Sequence, residues 1–73
     1  MKKEEFTAVC NSLMFRFCQV DFIKNVTMRG FILPKGDSPK NAKLGLFELS
    51  MGNMRISIHG SKIKSIKEIK NGN

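Results

Sequence analysis

Phe6, Val9, Cys10, Leu13, Met14 and Phe17 recur at i, i+3, i+4, i+7, i+8 and i+11, a single apolar stripe at helical period with Lys3, Glu4 and Asn11 off it. Glu4 and Glu5 fall in the first turn, where the positive end of the helix dipole favours carboxylates. The pattern predicts a helix over about residues 3–14. From Cys18 the period drops to two. Cys18, Val20 and Phe22 alternate with Gln19 and Asp21, as in a strand with one buried face. Beyond Lys24 and Asn25 the alternation resumes through Val26, Met28 and Ile32, with Gly30 in the same frame and Thr27, Arg29, Phe31 and Leu33 on the opposite one. A glycine on the inward side of a strand permits a bend or a bulge.

Residues 34–43, PKGDSPKNAK, carry two prolines, a glycine, Asp, Ser and Asn and read as a loop. Phe47, Leu49 and Met51 then alternate with Glu48 and Ser50. After Gly52-Asn53, Met54, Ile56 and Ile58 alternate with Arg55, Ser57 and His59. A glycine-first two-residue turn between such runs predicts a type II′ hairpin. At the end, Ile63, Ile66 and Ile69 stand three apart, a spacing open to a helical turn or to a bent strand; Gly60 and the β-branched residues favour the strand. The sum is a single, mostly β domain: one N-terminal α-helix capping a small five-stranded antiparallel barrel over about residues 18–69, with a short tail 70–73.

A chain of 73 residues is near the size at which one hydrophobic core is marginal. Cys10 and Cys18 are too few for a disulfide framework and, with the lone His59 far downstream, have no zinc spacing. They read as two free, buried thiols in a reducing cytosol, with no metal or other cofactor implied. Oligomerisation, as a homo-oligomer, is then the remaining source of extra stability. No apolar run reaches the length of a membrane span, and Glu4 and Glu5 interrupt any signal-like start. The expectation is a complete, soluble cytoplasmic protein with no membrane association.

The net charge of +7 changes the picture further. Residues 1–23 hold three basic and three acidic side chains; residues 24–73 hold ten and three, so the whole excess lies there. That asymmetry favours a polyanionic partner, RNA or single-stranded nucleic acid first and an acidic protein surface second.

Two short stretches resemble the motifs of the Sm-like family, whose bacterial branch is the RNA chaperone Hfq. VDFIKNVTMRGFI supplies the alternating apolar run and the Gly-x-aliphatic bend at Gly30 and Ile32; DSPKN supplies Asp37 and Asn41, with Lys40 where the family has Met. IHGSKI gives Ile58, Gly60 and Ile63 of the second motif, with His59 in place of the family's arginine. Gly30 to Asp37 is one residue longer than the family's spacing, and Pro34 interrupts it. Other SH3-like small barrels share the alternation. The resemblance covers residues 18–69 and implies an SH3/Sm-like barrel, assembled into a ring, that binds RNA without chemistry.

That resemblance implies a base slot in which Asn41 hydrogen-bonds a base edge and His59 stacks on its face. The plainer alternative is a loop asparagine and an outward histidine beside a glycine. Arg29, Lys40, Lys43, Arg55, Lys62, Lys64 and Lys67 are candidate phosphate contacts, as point charges that give affinity without reading sequence. The same lysines would also protect an edge strand from aggregation. With no Trp or Tyr, Phe31 is the one aromatic predicted to face outward, to stack a base or to fill a subunit interface. One histidine and six scattered carboxylates offer no acid–base or nucleophile set, and His59 with Glu48 and Arg55 is a trio by proximity alone. The function expected is non-catalytic nucleic-acid binding by a regulator or chaperone. The alternative is an interaction module, an inhibitor or adaptor of the kind carried by mobile elements, that docks an acidic surface of a larger protein.

Overall fold

The computed structural model describes residues 1–70, so of the predicted tail only Lys70 falls within it. Helix α1 spans Lys3–Ser12 and buries Phe6 and Cys10, while Leu13 and Met14, just past its end, pack half-buried against the same core. The helix stops before the predicted Met14. Phe15 turns into left-handed backbone at φ 64° and donates its N–H to the Ile32 carbonyl at 2.8 Å, which swings the chain onto the sheet. Phe17, the last member of the helical stripe, therefore belongs to a strand.

The strands are β1 (Phe17–Phe22), β2 (Thr27–Pro34), β3 (Phe47–Met51), β4 (Met54–Ile58) and β5 (Ile63–Glu68). They form one five-stranded antiparallel sheet in the order β4-β3-β2-β1-β5. The helix followed by five antiparallel strands is as the sequence predicts. β4 and β5 are the two edges, and no ladder joins them into a closed barrel among the described residues. The predicted hairpin is present: Met51 pairs with Met54, and Gly52 opens the turn at φ 64°.

The isoleucine spacing at the end of the chain has a physical cause. β5 shifts register against β1, with Ser65 opposite Asp21 but Ile63 opposite Phe22, so Lys64 is an extra residue. That bulge returns both Ile63 and Ile66 to the inner face although they stand three apart. Beyond Ile66 regular alternation resumes. Ile69, whose N–H bonds the Phe17 carbonyl at 2.9 Å, lies on the outer face instead.

The segment read as a loop has more structure than its composition suggests. Lys35–Asp37 form a 3₁₀ turn and Pro39–Lys43 a short helix, α2. Pro39 sits in the first turn of α2, where its missing N–H costs nothing, and Ala42 is buried. The Asn11 amide on α1 donates to the Ala42 carbonyl at 3.3 Å and ties the two helices.

The core joins Phe6 and Cys10 of α1 to Cys18, Val20, Ile32, Phe47, Leu49, Ile58 and Ile63 of the sheet, with Ala42 from α2. Close approach is bought with two glycines. A Cβ on Gly60 would stand 2.8 Å from that of Phe6, so the turn before β5 can touch α1 only without a side chain. A Cβ on Gly30 would run into the Ser50 carbonyl oxygen, so β2 and β3 cross there backbone to backbone. Cys10 and Cys18 are free, as predicted, and fully buried. Burial pushes the Cys10 thiol up to about 12, with the neighbouring Cys18 adding to it, and Cys18 up to about 11, with Glu68 adding to it.

A candidate nucleic-acid interface on the outer face of the sheet

The register assembles the outer face in rows that run across the strands. One row crosses Phe17 on β1, Phe31 on β2, Ser50 on β3 and Arg55 on β4, with Ile69 beside Phe17 at the other end. The next row holds Lys67 on β5, Gln19 on β1 and Arg29 on β2; the third holds Ser65, Asp21 and Thr27. Rows lie two residues apart along a strand, about 7 Å. The Phe17 and Phe31 rings meet edge to face, 5.2 Å between centroids and 63° between planes, and Phe31 remains 47% exposed.

Polar contacts hold the neighbouring rows in place. Asp21 accepts from the Thr27 hydroxyl at 2.8 Å, the Ser65 hydroxyl at 3.1 Å and the Gln19 amide at 3.3 Å. These bonds, Thr27's foremost, hold its carboxyl below the usual carboxylate range against the opposing effect of burial, and the charge of Lys67 helps. The Gln19 carbonyl oxygen in turn accepts from Arg29 Nε at 3.1 Å, so a chain of hydrogen bonds from Asp21 sets where the guanidinium points. Among the described residues, Arg29, Lys64 and Lys67 enter no salt bridge. The outer face thus offers an exposed aromatic ring with a positioned guanidinium and an ammonium one row away.

The other candidate residues fall into separate places. Arg55 shares the outer face but is neutralised, 2.9 Å from Asp37 and 3.8 Å from Glu48. Lys64, at the bulge, lines a polar hollow with Asp21, Thr27 and Ser65. Lys40, Asn41 and Lys43 lie on α2, where the Asn41 amide donates to the Lys35 carbonyl at 2.9 Å and closes its own turn. His59 is exposed over a hollow it shares with Lys2, Lys3 and Leu46, and the Leu46 N–H donates to the Asn41 carbonyl at 2.8 Å. Lys62 borders an apolar hollow with Ile23 and Val26. The structure therefore sets Arg29 and Lys67 on either side of Gln19, and Asn41 does not line the hollow over which His59 stands. Among the described residues, no group of three or more His, Cys, Asp or Glu side chains is placed to hold a metal ion. No helix among them is long and apolar enough to cross a membrane.

Phe17, Gln19 and Ile69 escaped the sequence reading of the site. For Phe17 a signal was present: carried back two residues, the polar frame of Asp21 and Gln19 lands on it. For Ile69 there was none, because the bulge at Lys64 resets the frame only in three dimensions. Compared with family models, with curated proteins and with solved structures, the chain matches none.

Proposed function

We propose that the protein binds RNA or another single-stranded nucleic acid on the outer face of its sheet, as a cytoplasmic regulator or chaperone that performs no chemistry. One observation carries this reading: Phe31 is half exposed in a row adjoining Arg29 and Lys67, two of the cations in a chain with net charge +7. Single-stranded nucleic acid is gripped by stacking bases on planar side chains and by neutralising phosphates along the backbone. Phe31 supplies the stacking surface, Phe17 buttresses it, and Arg29 and Lys67 meet the phosphates. We place the base here because the exposed ring and the cations adjoin, whereas Asn41 has one amide hydrogen tied to the Lys35 carbonyl.

The unpaired edges support assembly in the Sm-like manner that the sequence resemblance implies. In a two-residue hairpin the flanking pair exchanges both hydrogen bonds and the pairs then alternate. Arg55 and Ser57, opposite Ser50 and Glu48, therefore turn their backbone groups to the open edge of β4. That edge can accept β5 of a second copy, head to tail.

The test is fluorescence anisotropy of a labelled single-stranded RNA dodecamer titrated with the protein at 50 and 200 mM salt (about those values, to span the counterion response). The wild type binds and weakens with salt, Phe31→Ala loses affinity by about tenfold, as expected for one stacked base, and Arg29→Glu/Lys67→Glu abolishes binding. No binding at the lower salt, or equal binding by all three proteins, refutes the reading.

A further inference from the structure

The turn between β1 and β2 opens a hollow of about 340 Å³ walled by Phe22, Ile23, Val26, Met28 and Ile56. Two backbone bonds build it. Phe22 donates to the Val26 carbonyl at 2.7 Å, closing the turn, and Ile23 donates to the Lys62 carbonyl at 3.0 Å, pinning the turn to the segment before β5. Ile23 is left 53% exposed and Val26 44%, although both are aliphatic. Phe22, Met28 and Ile56 form its floor, half-buried against the core, while Ile23 and Val26 face water. Lys24 and Lys62 stand at its rim. Asp21, the acid close to this turn, has its carboxylate taken by Thr27, Ser65 and Gln19.

We infer that this hollow is a second binding site, for an acidic peptide segment that seats one large apolar side chain between Phe22, Met28 and Ile56 and sets its own carboxylates against Lys24 and Lys62. Charge and shape select this occupant. A second copy docking through the same hollow would bring Lys24 and Lys62 against their own counterparts, and like charges in a desolvated contact repel. A nucleobase would need polar partners for its edges, and the walls are aliphatic and aromatic. An apolar anchor in a concave site with charged flanks is the pattern by which peptides are held. The site is distinct from the outer face, so the protein could hold nucleic acid and an acidic protein together.

The test uses nitrogen-15-labelled protein and two fluorescent heptapeptides: Asp-Glu-Asp-Leu-Asp-Glu-Asp, and its counterpart with serine at the centre. The leucine peptide binds about tenfold tighter than the serine peptide, the difference expected for burying much of one aliphatic side chain. It shifts the amides of Ile23, Val26 and Ile56, loses its affinity for Lys24→Glu/Lys62→Glu, and binds Phe31→Ala as it binds the wild type. Equal affinity for the two peptides reduces the site to surface charge and overturns the proposal. So does displacement of the leucine peptide by single-stranded RNA, or a concentration-dependent shift of the same amides in protein alone, which would assign the hollow to a second copy. The direct peptide titrations contain no nucleic acid, and only the displacement arm does, so the peptide affinities are independent of whether the outer face binds RNA.

Discussion

Two phenylalanine pairs, alike in geometry, stand on opposite faces of the sheet. On the inner face Phe6 meets Phe47 edge to face, 5.6 Å between centroids, with both rings almost fully buried. On the outer face Phe17 meets Phe31 at 5.2 Å, yet Phe31 is 47% exposed. The stacking geometry does not distinguish them; water does. The inner pair joins α1 to the sheet, and its removal leaves a cavity. The outer pair presents one ring to solvent beside Arg29 and Lys67, and its removal takes away a surface and little else. Stability is concentrated on one face and the proposed binding on the other.

The comparison breaks most readily at Phe6. Phe6→Ala removes the ring that holds α1 against Phe47 and Gly60, with an expected loss of about 3–5 kcal/mol in urea unfolding. A loss below about 1 kcal/mol would mean that α1 is not part of the folded core. Gly30→Ala comes next. The added methyl meets the Ser50 carbonyl, and the strands must part, at about 1–3 kcal/mol by the same measurement.

The buried thiols give a pH test of the inner face. Their folded values of about 12 for Cys10 and about 11 for Cys18 lie above the ordinary 9.0. Above that ordinary value the unfolded chain releases protons that the folded chain keeps, so the stability is fully present below pH 9.0 and falls as pH rises toward 11 and 12. Melting temperatures from pH 8 upward (about half-unit steps) should fall for the wild type and fall less for Cys10→Ala/Cys18→Ala. Identical slopes would show that the thiols already meet water in the folded state. Asp21 gives the opposite, weaker limb on the outer face. Its depressed carboxyl favours folding above the usual carboxylate range, and that contribution disappears as pH falls through its folded value. Asp21→Asn should flatten the acid limb of the melting curve. The smallest effect on stability is expected at Phe31, where truncation to Ala costs less than about 1 kcal/mol because its ring is already half in water.

How much of this was legible beforehand follows the same division. Burial on the inner face is a property of alternation along one strand, and Cys18, Val20, Ile32, Phe47, Leu49 and Ile58 declare it by period two. The outer face is a property of register between strands, which no single segment carries. Phe17 falls on the helical stripe by its spacing from Phe6 and Cys10, beyond the predicted helix end near residue 14, and the left-handed turn at Phe15 delivers it to β1. A phenylalanine in that conformation has no sequence signal, since glycine or asparagine is the usual occupant. The helix in residues 39–43 was hidden by proline and asparagine; their turn chemistry is also that of a helix start and a capped loop. Of the candidate cations, Arg29 was placed outward by alternation and Lys67 by charge alone, and what sets them in one row is the pairing of β1 with β2 and β5 at Gln19.

The central claim, that the outer face and not α2 or His59 receives single-stranded nucleic acid, is tested most directly by amide shift mapping of the labelled protein with a single-stranded RNA dodecamer. The account predicts that the shifted amides centre on Phe17, Gln19, Arg29, Phe31 and Lys67. Shifts centred on Lys40, Asn41, Lys43 and His59, with Phe31 unmoved, would contradict it.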